Sequence, residues 1–121
     1  MCHAGGISEL KKIAAEAETY YVTVAPAVHE VTARSHNSNG PISTVASLHL
    51  DTCIPNCFMQ ELFVNFLPVY NEVLTNAIVI DNGYCTLPEG PGWGTDLKEE
   101  VLLKYPPVPY QPVESEPYQK F

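Results

Sequence analysis

YYVTVAPAVHEVTARSHNSNGPIS, Tyr20 to Ser43, opens on Tyr-Tyr-Val-Thr-Val-Ala, a run that is apolar or β-branched on both faces, and closes on a histidine, then Asn, Gly and Pro. A strand with one face in water would alternate, so this pattern predicts a strand buried within a parallel sheet. Gly40-Pro41 then marks a helix start with proline at its first position. Between Pro26 and His36 lie nine residues, AVHEVTARS, which hold the histidine away from the strand that should present it.

Working outward, Gly5 and Gly6 precede ISELKKIAAEAETY, where Ile7, Leu10, Ile13, Ala14 and Ala17 recur at helical spacing. Lys11, Lys12, Glu16 and Glu18 fall on the other side, which predicts an amphipathic surface helix. Downstream, Ile42, Val45, Ala46, Leu50 and Cys53 form an apolar stripe down to a break at Ile54-Pro55-Asn56. CFMQELFV, Cys57 to Val64, is short, apolar and bounded by asparagines, so it reads as a second buried strand carrying Glu61. Helix, strand, helix, strand is an α/β pattern, two turns of a β/α barrel or of an open sheet. In both, functional side chains sit at the C-terminal ends of strands, which singles out His36 and Glu61.

Beyond Glu61 the alternation ends. IVI and YCTL flank Asp81-Asn82-Gly83, a tight hairpin signal, and PEGPGWG is a turn-rich loop. That loop lacks the lysine and the βαβ context of a phosphate loop, so Trp93 is expected to pack. Thr95 or Asp96 is placed to cap a helix over DLKEEVLLK. Residues 105–121 hold five prolines and no periodicity, an extended or disordered tail. The expected organisation is one domain over 1–104, interrupted at 27–35, followed by that tail.

Fourteen acidic against six basic residues give a net charge of −8, which argues against nucleic acid and anionic membrane surfaces as partners. No apolar run approaches a membrane span, and Met1 is followed by Cys-His-Ala-Gly-Gly rather than a signal sequence, so a cytoplasmic protein is expected. In that compartment Cys2, Cys53, Cys57 and Cys85 are expected as thiols. A zinc site from Cys2, His3, Cys53 and Cys57 is a third reading, although no second tight ligand pair completes it. His3 and His49 are expected to pack or face solvent. His29 lies closer to the strand than His36 but does not precede an asparagine, and is the lesser choice for a base.

HAGGISELKKIA, the VAP that precedes the insert, HNSNGPIS, the QE of FMQE, and DNGYCTLPEGPGWGTDLKEE together resemble the C-terminal part of the enolase superfamily, in its mandelate racemase group. Within it they are most similar to galactonate dehydratase and related acid-sugar dehydratases. The resemblance runs from His3 to about Lys104, apart from Ala27 to Ser35. It implies the last helices and strands of a modified (β/α) barrel with a terminal hairpin and an irregular tail. It also implies chemistry in which a base removes the proton next to a carboxylate held on Mg2+, after which a neighbouring hydroxyl leaves.

On that resemblance His36 matches the family's histidine base at the end of the seventh strand, and Glu61 the carboxylate at the end of the eighth, beside the reacting part of the substrate. The family's three acidic metal ligands, and the aspartate that orients the histidine, would lie upstream of Cys2. The chain is therefore expected to bind no Mg2+ alone, and to meet a sugar acid only within a complete enzyme. AVHEVTARS reads as an insertion, since in the resembling enzymes Ala-Pro runs directly into His-Asn. A partial barrel would leave open edges, so the chain is also expected to associate with itself or with a homologous chain, and a non-catalytic binding module is the competing hypothesis.

Overall fold

PISTVASLHLD is the most buried segment among the described residues, and the other described elements pack around it. In the computed structural model, which describes residues 4–25 and 39–108, it forms helix α2 (Pro41–Asp51) with proline in the first turn. Thr44, Val45, Ala46, Ser47, Leu48 and Leu50 are all buried, so two apolar faces diverge from one helix. Its hydroxyls do not break this burial, because Ser47 Oγ donates to the Ser43 carbonyl at 2.9 Å and Thr44 Oγ1 to that of Gly40 at 3.3 Å.

On one side Leu50 and Ile54 pack with Ala14 of helix α1 (Ile7–Thr19), together with Ile7, Leu10, Val24 and Cys57. On the other, Val45 and Leu48 pack with Tyr70, Leu74 and Ile78. Tyr70 belongs to helix α3 (Leu67–Val73), preceded by a 3-10 turn at Val64–Phe66. The sequence pattern did not predict α3. Its seven residues, LPVYNEV, are too few to show a helical period.

Two expected strands are corrected by the structure. Tyr20 and Tyr21 do not begin a strand but close α1: Tyr21 N–H donates to the Glu18 carbonyl and Val22 N–H to that of Ala17, both at 2.9 Å. Tyr21 takes the left-handed φ of 57°, so the segment is a Schellman C-cap with tyrosine where glycine is usual. Val24 then pairs in parallel with Cys57, through Val24 N–H to Asn56 O at 2.9 Å and Phe58 N–H to Val24 O at 2.8 Å. That single bridge replaces the two buried strands. Phe58 and Met59 are exposed, as are Tyr20, Tyr21 and Val22, because the described residues supply no further strand to either flank.

Strands β1 (Val79–Asp81) and β2 (Tyr84–Thr86) pair antiparallel with Ile80 opposite Cys85. Asn82 and Gly83, with φ of 48° and 84°, make the tight turn between them. The helix expected over 96–104 is also corrected: α4 spans only Glu99–Leu102. Thr95 and Asp96 are drawn instead into a bridge to the end of α3, where Thr75 N–H donates to Asp96 O at 2.8 Å and Asn76 N–H to Thr95 Oγ1 at 3.0 Å. With those groups engaged, the helix starts only past Lys98. The 27–35 insert, and the tail beyond Val108, lie outside the described residues.

Candidate functional site

The parallel bridge sets the direction of the site. Ala25 and Glu61 both follow their bridged residues, Val24 and Cys57, toward the same end of the pair. Glu61 is half-buried, with Gln60 Nε2 donating to its carbonyl at 2.5 Å. After it Phe63 stacks on Phe66 with centroids 4.9 Å apart, and Phe66 leans on Tyr70 at 6.1 Å. His36 lies outside the described residues, as does His29. The described chain resumes at Asn39, whose carbonyl accepts a hydrogen bond from the Tyr70 hydroxyl. α3 thus fixes the entry to α2 and, through the aromatic pairs, the segment that follows Glu61.

No group of three or more His, Cys, Asp or Glu gathers among the described residues in a way that could hold a metal ion. The described residues therefore offer no magnesium centre. The zinc reading gains no support either: Cys53 is an exposed thiol and Cys57 a half-buried one, while Cys2 and His3 lie outside the described residues. His49 packs, its ring 5.7 Å from that of Trp93 and its Nε2 3.0 Å from the Trp93 carbonyl. The loop carrying Trp93 closes at Gly94, where the φ is +69° and a Cβ would collide with the Pro88 carbonyl.

One group that pattern reading did not single out is Asp51. It is the last residue of α2, where the helix dipole disfavours an anion, and that placement was the signal available in the sequence. Both carboxylate oxygens are buried without a well-formed hydrogen bond from the described residues, although the Cys57 thiol interacts with the carboxylate. Burial raises its pKa from 3.8 to about 6, against a smaller lowering by that thiol. Burial first, and then the charge of Asp51, push the thiols of Cys57 and Cys85 up in turn. These groups face a cavity of about 330 Å³ between the end of α2, the Cys57–Gln60 segment and the hairpin.

The fold is that of a C-terminal barrel segment, and the comparisons agree. Residues 1–101 match the enolase C-terminal domain-like family, and the chain belongs to it. It is 33% identical over 112 residues to a D-galactonate dehydratase family member from Streptomyces bingchenggensis, covering 92% of this chain and 25% of that protein. It is 35% identical over 104 residues to a D-mannonate dehydratase from Caulobacter vibrioides, covering 86% of this chain and 24% of that one. Among solved structures it is similar to a mandelate racemase/muconate lactonizing enzyme from Jannaschia sp. CCS1. There the TM-score is 0.73 at 28% identity, over 88% of this chain and 25% of that one. A second such enzyme, from a Sulfitobacter species, gives a TM-score of 0.70 at 33% identity, over 84% of this chain and 23% of that chain. The chain thus spans about a quarter of the length of the relatives it matches.

Proposed function

We propose that this chain forms the closing part of an acid-sugar dehydratase of the enolase superfamily, with His36 as the base and Glu61 beside the reacting region of the substrate. The observation that carries the reading is the parallel Val24–Cys57 pairing, because it directs Ala25, the last described residue before His36, and the segment leading to Glu61 toward the same end. A histidine suits the role, since a base titrating near neutrality can both accept and release the proton. Glu61, half-buried beyond an apolar segment, suits a group that works out of bulk water. Neither side chain completes the reaction alone, and no group of acids among the described residues could hold the family's Mg2+.

The test is a chimera in which this sequence replaces the matching C-terminal segment of a D-mannonate dehydratase. Without residues 27–35 it should turn over a sugar acid, and His36→Asn should abolish solvent-deuterium exchange at the carbon next to the carboxylate. With 27–35 restored the rate should fall on the order of 100-fold or more, because a shift of about 1 Å in the base is enough for that. A folded chimera lacking 27–35 that shows no exchange would sink the proposal.

A second reading is favoured by the exposed apolar side chains from both bridged segments, Tyr20, Tyr21 and Val22 from one and Phe58 and Met59 from the other. Under it the chain is a binding module that associates with its own copies or with a homologous chain. Its mark is a complex that forms without Mg2+ and is unaffected by substitution of His36.

A further inference from the structure

We infer that the cavity at the end of α2 is a receptor for a guanidinium group, supplied by an arginine on an extended polypeptide segment lying along the open edge at Phe58 and Met59. Asp51 carries the argument. Its two carboxylate oxygens are buried and lack a well-formed hydrogen bond from the described residues, and a carboxylate out of water with only a weak thiol donor beside it is costly to keep charged. The helix C-terminus adds to the negative potential, since the last carbonyls of α2 point the same way.

The chain does not fill this site itself with a described cation. Among the described residues, no lysine or arginine lines the cavity. Lys12 is bound to Glu9 at 2.7 Å, Lys104 to Glu72 at 3.5 Å, and Lys98 Nζ donates to the Glu72 carbonyl at 3.3 Å. A metal ion is a poor occupant, because no three ligating side chains converge among the described residues. A carboxylate whose one neighbouring donor is the weak Cys57 thiol matches the parallel N–H pair of a guanidinium, which is also less strongly hydrated than an ammonium.

The cavity walls suit the rest of the side chain. Leu48, Leu87, Phe58 and Met59 offer apolar surface to a methylene stem, while Thr52 and Gln60 lie at polar positions on the lining. Phe58 and Met59 belong both to the cavity and to the exposed edge, so a segment pairing along that edge would deliver a side chain into it. The polypeptide source rests on the reading of an incomplete barrel. The guanidinium site does not.

The test uses the whole 121-residue chain labelled with 13C in its aspartate carboxyls and titrated with agmatine, butylamine and butylurea. Agmatine should bind saturably at millimolar concentration and lower the Asp51 midpoint from about 6 toward the ordinary carboxylate range. Butylurea, neutral but of similar shape, should leave the midpoint in place, and butylamine should bind more weakly than agmatine. Asp51→Asn, which keeps the side-chain shape and removes the charge, should weaken agmatine binding at least about tenfold. Indistinguishable titrations with agmatine and butylurea would overturn the site on the parent chain alone, whatever the variant does. Equal binding of agmatine by Asp51→Asn would assign the effect to the net charge and also overturn it. Acetyl-Val-Arg-Val-amide should bind on the order of tenfold tighter than agmatine; no gain over agmatine would overturn the polypeptide source while leaving the catalytic proposal untouched.

Discussion

Tyr21 shows how one residue can decide where an element ends. Its φ of 57° costs a non-glycine residue about 1–2 kcal/mol, and the two hydrogen bonds that close α1 hold it there. The side chain is 97% exposed, so replacing it removes almost no packing. Glycine at this position relieves the backbone strain but adds about 0.5–1 kcal/mol of unfolded-chain entropy. Tyr21→Gly should therefore stabilise the chain by about 0.5–1 kcal/mol, read as a higher urea midpoint with an unchanged slope. A lower midpoint would mean that Tyr21 makes contacts beyond its cap role. The same residue explains a limit of pattern reading: two tyrosines before Val-Thr-Val favour a strand by propensity. The demand of the α1 carbonyls for donors overrides that preference. Glu61 drew notice because an acid in an apolar run is conspicuous, whereas nothing in the apolar pattern marked Asp51 until its burial was known.

The elements whose sequence signals are long and periodic, α1 and α2, form where the pattern places them, and those that depend on neighbours do not. The segment 57–64 has the composition of a buried strand, yet only Cys57 is paired, because composition cannot supply a partner strand. α3 escaped detection through its shortness, and it persists through tertiary contacts. Asn71 holds it to the start of the hairpin: Nδ2 donates to the Ile78 carbonyl at 3.0 Å, and Oδ1 accepts from Ile78 N–H at 2.7 Å. Ile78 is buried, so Asn71→Ala would leave both its backbone groups without a partner away from water. The loss should be about 2–4 kcal/mol, comparable to emptying the fully buried position beside it with Leu74→Ala, about 2–5 kcal/mol. Chemical denaturation of the two variants checks this. An Asn71→Ala chain with wild-type stability would show that α3 is held by its apolar face alone.

At the scale of the whole molecule a contact attraction and a long-range repulsion oppose each other. The exposed apolar side chains of Tyr20, Tyr21, Val22, Phe58 and Met59, from the two bridged segments, favour association, and pairing of open backbone groups there would add to it. The net charge of −8 opposes it, because each added copy increases the self-repulsion. Salt separates the two. Raising ionic strength from about 50 mM to about 500 mM shortens the Debye length well below the size of the chain, so the repulsion fades while apolar burial does not. The mean mass in sedimentation should therefore rise with salt, and it should do so without Mg2+. Tyr20→Lys combined with Val22→Lys places charge on the edge without entering either core cluster, and should hold the mass at that of the monomer across the range. Mass that instead falls with salt would mean that ion pairs dominate assembly. Mass that stays monomeric in both chains would show that these exposed side chains attract no second copy.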